Sequence, residues 1–142
     1  MNVAEFNREL EKWPPTVLAK DAAPMQRDIL TDLVNGFIDA TPAADPKFRG
    51  SGRAKRGWQV FLRRALAVDE PQAAVQDPTG TVAKAAAATV IGGINERPIP
   101  MATIANPVDY IEKLANGYSK QAPAGWFERV TALVTAKYSR VR

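Results

Sequence analysis

The stretch AAPMQRDILTDLVNGFIDA, from Ala22 to Ala40, decides how this chain of 142 residues folds. Its apolar side chains recur at the spacing of one face of an α-helix, at Met25, Ile29, Leu30, Leu33, Val34, Phe37 and Ile38. The pattern predicts a long amphipathic helix that buries this face in a core. A subunit interface is the alternative use of the same face.

The residues before this helix are predicted to form a separate N-terminal element. Asn2 with Glu5 can cap a short helix that Pro14–Pro15 ends, and its apolar face would consist of Phe6, Leu10 and Trp13. Residues 1–20 are therefore expected to be an N-terminal helix or arm, and residues 21–142 the main domain.

Two short segments have the character of strands. The segment from Trp58 to Leu62 suits a half-buried strand, with Trp58, Val60 and Leu62 on one side and Gln59 and Phe61 on the other. Residues 99–105 suit a strand near a sheet edge because Pro98 and Pro100 flank Ile99. We expect the two to pair. A two-stranded sheet is marginal alone, so further strands in 63–75 or neighbouring subunits would complete it.

Helix signals recur in the second half of the chain. Asp77-Pro78 is typical of an N-cap followed by a first helical residue, and the alanine-rich run from Thr81 to Ile91 predicts a helix that ends at Gly92-Gly93. A last helix is predicted from Gly125 to Ser139, with an apolar stripe at Phe127, Val130, Val134 and Tyr138. The fold class predicted is α+β: amphipathic helices packed on a small antiparallel or mixed sheet in a single domain.

Composition excludes several kinds of chemistry. The chain has no cysteine and no histidine, which removes thiol and Ser–His catalysis and the commonest zinc ligands. Asp28 and Asp32 lie one turn apart on the polar side of the long helix, where solvated charge is the expectation. We therefore expect no enzyme, no cofactor and no metal site. No apolar run approaches a membrane helix and no signal-peptide core is visible, so a soluble protein made in a cytoplasm is expected.

Positive charge is concentrated between Pro46 and Val68, where acidic residues are absent. Its basic residues are Lys47, Arg49, Arg53, Lys55, Arg56, Arg63 and Arg64. Pro, Gly and Asp residues predict a surface loop over residues 41–57. One interpretation is a loop that contacts nucleic-acid phosphates; the other is a loop that docks on an acidic protein or faces water. Trp58, directly after it, is interpreted as a core anchor more readily than as a binding residue.

The segment from Asn106 to Gly125 reads NPVDYIEKLANGYSKQAPAG. Asn106 and Pro107 suit an N-cap and a first helical turn, and Gly117 can take the left-handed conformation that ends a helix. Tyr110, Ile111 and Leu114 would share one face of that helix. The following residues, 118–121, are polar and are expected to be exposed. No catalytic group stands out, so the segment is interpreted as a contact surface.

This segment resembles the tail-completion and minor tail proteins of long-tailed bacteriophages, the family of the lambda-type minor tail protein Z and head–tail joining components. The matching positions are Asn106, Pro107, Tyr110, Leu114, Gly117, Ser119, Gln121, Ala122, Pro123 and Gly125. A second family signature is similar to Thr41-Pro42 followed by residues 51–58, although Lys55-Arg56-Gly57 replaces the family's usual Arg-Gly-x. The resemblance covers residues 21–142.

The resemblance implies a structural virion protein at the phage neck, a tail-completion component that forms a ring joining head to tail around the DNA channel. It implies six or twelve copies, neighbouring neck or tail proteins as partners, non-specific contact with passing DNA, and assembly in the host cytoplasm. The loop 118–125 would be a contact surface, with hydrogen bonds from Ser119 and Gln121 and an apolar bump at Ala122-Pro123. The alternative for the loop is a turn that orients the last helix. The alternative function is a DNA-binding or regulatory protein acting through residues 47–64.

Overall fold

The structure, a computed structural model, describes residues 4–5, 8, 15–44, 47, 51–62, 76–94 and 100–139. Along these ranges the elements are α1 (Pro15–Ala40), α2 (Arg53–Arg56), β1 (Gln59–Leu62), α3 (Thr81–Gly92), β2 (Ala102–Ala105), α4 (Ile111–Ala115) and α5 (Trp126–Ser139). The chain forms a small α+β domain with an antiparallel pair of strands, which confirms the predicted fold class. Ala4, Glu5 and Arg8 are helical; the rest of the predicted first helix lies outside the described residues, as does segment 63–75.

Helix α1 starts earlier than the sequence indicated. It begins at Pro15, and it continues through Pro24, which is exposed. The predicted start at Ala22 was therefore wrong. A proline at the first helical position loses no hydrogen bond, because that N–H has no partner within the helix. Pro15 therefore begins a helix, whereas the sequence predicted that it would end one.

The core lies between α1 and the elements packed on it, α3 and α5. From α1 the buried apolar residues are Ala23, Leu30, Val34, Phe37 and Ile38, and from α3 they are Ala83, Ala87 and Ile91. The apolar face of α1 is therefore core, as predicted. The small side chains on the buried face of α3 serve close packing within the same chain.

Strands β1 and β2 pair in the register Gln59↔Ala105 to Leu62↔Ala102. Their pairing was predicted, but the prediction of a half-buried strand was wrong, because Val60 and Phe61 are both buried. Successive residues of a strand point to opposite faces, so both faces of β1 are covered, and α3 packs on this strand. Two hydrogen bonds from α1 hold the approach to β2: Gln26 donates to the carbonyl of Pro100 (2.7 Å) and Arg27 donates to that of Ile94 (2.7 Å).

Aromatic rings connect the sheet side of the core to α5. The ring of Trp58 stacks on Phe37 with centroids 4.9 Å apart and meets Trp126 edge-on at 6.4 Å. Phe127 also stacks on Phe37, at 4.6 Å, and its ring centroid lies 6.1 Å from that of Trp58. The Trp58 indole N–H donates to the Thr41 hydroxyl (2.8 Å), which itself donates to the Phe37 carbonyl (2.6 Å). Trp58 is only 6% exposed, the position that a core anchor occupies.

Helix α3 begins at Thr81, as the alanine-rich run predicted, but the prediction of Asp77 at its N-cap and Pro78 at its first position was wrong. Gly80, with φ of 76°, occupies the N-cap position, and its N–H donates to the Asp77 carbonyl. The Asp77 carboxylate nevertheless caps the helix from a distance, accepting the N–H groups of Val82 (3.1 Å) and Ala83 (2.9 Å). Asp77-Pro78 is thus a turn in front of the helix, because the carboxylate can reach the free N–H groups only after the chain has folded back through Gly80.

Candidate functional site

The candidate site is the segment from Asn106 to Gly125, and its first residue does not act as predicted. The Asn106 side chain accepts the N–H of Val108 (3.1 Å) and donates to the carbonyl of Ala54 in α2 (2.8 Å). An Asn side chain bonded to the backbone two residues on closes a local turn, so it is not free to cap a helix. Helix α4 begins only at Ile111, with Tyr110 at its N-cap and no side-chain cap. The predicted N-cap at Asn106 was wrong.

The end of α4 follows the sequence closely. The N–H of Tyr118 bonds to the carbonyl of Lys113 (3.2 Å) and the N–H of Gly117 bonds to that of Leu114 (3.2 Å). This pair of bonds is the Schellman motif, which needs a left-handed residue directly after the helix cap. Gly117 has φ of 86° and supplies that conformation. The helix stop at Gly117 is therefore confirmed.

Beyond α4 the chain forms a compact loop whose two sides differ. Tyr118 is 80% exposed, and Lys120, Gln121 and Pro123 are also exposed. Ala122 is 6% exposed and belongs to the hydrophobic core. The predicted apolar bump at Ala122-Pro123 was therefore wrong for Ala122, whose methyl group faces inward.

Hydrogen bonds within the loop fix its shape. The Ser119 hydroxyl accepts the N–H of Gln121 (3.2 Å), and a short bridge pairs Ser119 with Ala122. The N–H of Gly125 bonds back to the carbonyl of Ala115 at the end of α4 (3.1 Å). Part of the hydrogen-bonding capacity of Ser119 is thus used inside the loop, whereas the side chain of Gln121 is exposed to solvent.

Trp126 anchors the loop at its far end, a role that the predicted stripe of the last helix did not include. It is 3% exposed, and its indole N–H donates to the carbonyl of Leu114 (3.0 Å). Leu114 is itself packed against the core. The loop is therefore held between two points that are fixed to the same core, α4 on one side and Trp126 on the other.

The basic segment divides into residues with different roles. Lys47 is exposed, Arg56 is half-buried, and the guanidinium of Arg53 lies over the ring of Tyr110, 5.9 Å from its centre. Lys55 is buried, at 8% exposure. Arg49, Arg63 and Arg64 lie outside the described residues.

The predicted surface loop over residues 41–57 was wrong in its second half. Residues 53–56 form α2, and Ser51, Gly52 and Gly57 are buried around it. The chain is tightly packed here: the N–H of Asp77 bonds to the carbonyl of Ser51 (3.1 Å), and a Cβ on Gly52 would overlap the backbone of Asp77. Only a glycine, which also accepts the φ of 77° found at this position, fits there.

Lys55 closes the carboxyl end of α1. Its ammonium donates to the carbonyls of Ile38 (2.6 Å) and Asp39 (3.3 Å), which the helix leaves without intrahelical partners. Burial lowers the pKa of Lys55 below its ordinary value, and the nearby charge of Asp39 opposes that shift. Asp39 also pairs with Lys84 of α3 at 2.5 Å. The amine is engaged with backbone and is not presented to a phosphate.

We predict that Lys55→Ala lowers the free energy of unfolding by about 1–2 kcal/mol, because two carbonyls at the end of α1 lose their donor. Arg56→Ala, its half-buried neighbour in α2, is the matched control and should change it by no more than about 0.5 kcal/mol. Urea denaturation of the purified proteins measures both. Equal effects of the two substitutions would contradict the capping role.

The part of the chain that the structure describes contains no group of acidic, histidine or cysteine residues that could hold a metal ion. Within the same ranges, none of the helices combines the length and apolar character needed to cross a membrane. The chain matches no protein-family model, no curated protein and no solved structure. What the site offers chemically is a loop tip shaped by its own hydrogen bonds and supported on the core, with the exposed aromatic ring of Tyr118 beside the exposed, positively charged side chain of Lys120.

Proposed function

We propose that this chain is an assembly protein of a tailed bacteriophage, a neck component that joins the head to the tail. The proposal rests on the segment from Asn106 to Gly125, whose residues resemble those of tail-completion proteins. The observation that carries the proposal is that the segment has a buried side and an exposed side. Leu114 and Ala122 pack on the core, while Tyr118 and Gln121 are exposed on a loop held by its own hydrogen bonds.

A loop of this construction suits a protein contact. Tyrosine is enriched at the centres of interfaces, where it contributes a large apolar ring and a hydroxyl at low entropic cost. The hydrogen bonds at Ser119 and Gly125 hold the loop before any partner binds, so less conformational freedom is lost on association. In the proposed ring of six or twelve copies, the loop of each copy would meet a different surface of the next, because closed rings use heterologous contacts.

The basic segment has a smaller part in this proposal than its sequence indicated. Lys55 is committed to the end of α1, so its ammonium group is not available to an acidic neighbour or to passing DNA. This arrangement also weakens the alternative of a free DNA-binding protein, because such binding depends on the number of phosphates neutralised.

Electron microscopy of lysates from phage lacking this gene tests the function directly. Filled heads beside separate, unattached tails are expected. Complete infectious particles would overturn the proposal, and salt-dependent binding of the purified protein to DNA would then support the alternative function.

We predict that Tyr118→Ser abolishes most head–tail joining, lowering the titre of a complemented deletion phage by at least about tenfold, the loss typical of one interface anchor. The free energy of unfolding should stay within about 0.5 kcal/mol of the parent, since the ring is 80% exposed. Leu133→Ser is the matched control: it removes an apolar side chain that is 72% exposed on α5, away from the motif. A normal titre with Tyr118→Ser, or an equal loss with Leu133→Ser, would exclude a specific contact through the loop.

A further inference from the structure

Helix α5 is attached to the domain unevenly along its length. Its first residue, Trp126, is buried among the core aromatics. From Phe127 to Ser139 no residue is fully buried: Val130, Val134, Thr135 and Tyr138 are half-covered, and the others are exposed. Its main packing partner is α1. The amino end of α5 is therefore part of the core, and the rest of the helix lies on its surface.

The middle of α5 lies close to α1, but no side chain there is fully buried. Val130 lies against Gly36, so closely that a Cβ on this glycine would overlap the valine side chain. Because Gly36 has no side chain, the two helices approach closely at this point. Val130 is nevertheless only half-covered, so it contributes less to stability than a fully buried side chain would.

A polar contact fastens the carboxyl end of α5. One carboxylate oxygen of Asp32, in the middle of α1, accepts both the ammonium of Lys137 (2.6 Å) and the hydroxyl of Tyr138 (2.7 Å). The sequence predicted a solvated charge at Asp32. That prediction was wrong, because Asp32 binds two partners that lie 105 and 106 positions further along the chain.

We propose that residues 130–139 of α5 form a hinged arm: Trp126 fixes its amino end, and the contact of Asp32 with Lys137 and Tyr138, here called the Asp32 latch, controls its release from α1. The free energy of opening the arm is smaller than that of unfolding the domain, as for other segments with few buried contacts. Opening uncovers Gly36 and the apolar side of Val130 and Val134, while the aromatic cluster at Trp126 stays intact.

The charges around the latch give its opening a pH dependence. The hydrogen bonds from Lys137 and then Tyr138 lower the pKa of Asp32 below its ordinary value of 3.8. The same carboxylate raises the pKa of Lys137. On α1 itself, Asp28 lies one turn away and is exposed. A carboxyl group with a lowered pKa stabilises the closed arm fully above 3.8, and this contribution is lost as the pH falls through the folded-state pKa. Acid therefore opens the arm.

Hydrogen–deuterium exchange of the full-length chain, read peptide by peptide, tests the latch. Asp32→Leu keeps the side-chain size and removes the acceptor, and we expect exchange in residues 130–139 to accelerate about tenfold while α1 and α3 keep their rates. Asp28→Leu, an exposed carboxylate on the same helix, is the matched control and should leave the arm unchanged. Lowering the pH should accelerate arm opening in the parent and not in Asp32→Leu, after correction for intrinsic exchange rates.

A second variant removes the donors instead of the acceptor. Lys137→Met combined with Tyr138→Phe should accelerate exchange in the arm to the same extent as Asp32→Leu, and it remains available if Asp32→Leu does not fold. Unchanged exchange in the arm, or an increase spread evenly over the whole chain, would overturn the proposal.

Discussion

Replacing Trp58 with alanine is expected to lower the free energy of unfolding by about 3–5 kcal/mol, the range for removing a large buried aromatic ring. The indole contacts both Phe37 and Trp126, so its loss opens a cavity where the sheet side of the core meets α5. The hydrogen bond that it donates to Thr41 is lost as well. Of the substitutions considered, this one removes the most buried contact at a single position.

Urea denaturation followed by circular dichroism measures this effect. Trp58→Phe retains a ring against Phe37 but has no N–H for Thr41, so it should cost less than the alanine variant. Tyr118→Ala is the control for losing an aromatic ring in general, and it should change the free energy by no more than about 0.5 kcal/mol because that ring is exposed. A loss below about 1 kcal/mol for Trp58→Ala would contradict its position in the core.

Replacing Asp77 with alanine is expected to cost about 2–4 kcal/mol. The carboxylate is 2% exposed and accepts the N–H groups of Val82 and Ala83 at the start of α3. With alanine, both donors lose their partner, and the negative charge that favours this end of the helix disappears. Asp77→Asn keeps one acceptor and should cost an intermediate amount.

The matched control for Asp77 is Thr79→Ala in the same turn. The hydroxyl of Thr79 forms an exposed hydrogen bond with the hydroxyl of Thr81. Its removal should therefore change the free energy of unfolding by no more than about 0.5 kcal/mol. Thermal and urea denaturation of the three variants would establish the order. If Asp77→Ala were as mild as Thr79→Ala, the distant capping of α3 would be refuted.

The sequence predicted those features of the fold that depend on residues close together in the chain. The apolar periodicity of residues 25–38 is repeated every turn, so it identifies the buried face of α1 without knowledge of its neighbours. Gly117 likewise marks the end of α4 because the left-handed conformation is a local requirement. The pairing of β1 with β2 followed from there being two strand-like segments.

Features that depend on contacts between residues distant in the chain could not be predicted from the sequence. In the sequence, Lys55 is one of a series of basic residues, and no residue close to it in the chain indicates that it binds the end of α1. Asp32 and Asn106 were misread for the same reason, because their partners lie in α5 and α2. In the candidate site, the sequence predicted an exposed polar loop, but it did not predict that Ala122 is buried in the core, because that depends on residues distant in the chain.

The hydrogen bond between the Asn106 side chain and the Ala54 carbonyl bears on the order in which the chain folds. These residues are 52 positions apart, and they lie beside the paired ends of β1 and β2. Joining them requires closing a long loop, whose entropic cost is met before the sheet contributes any stability. Helix α1 can begin to form from local contacts, whereas the sheet can form only after β1 and β2 have come together. The rate-limiting step of folding is therefore expected to be the meeting of the two strands.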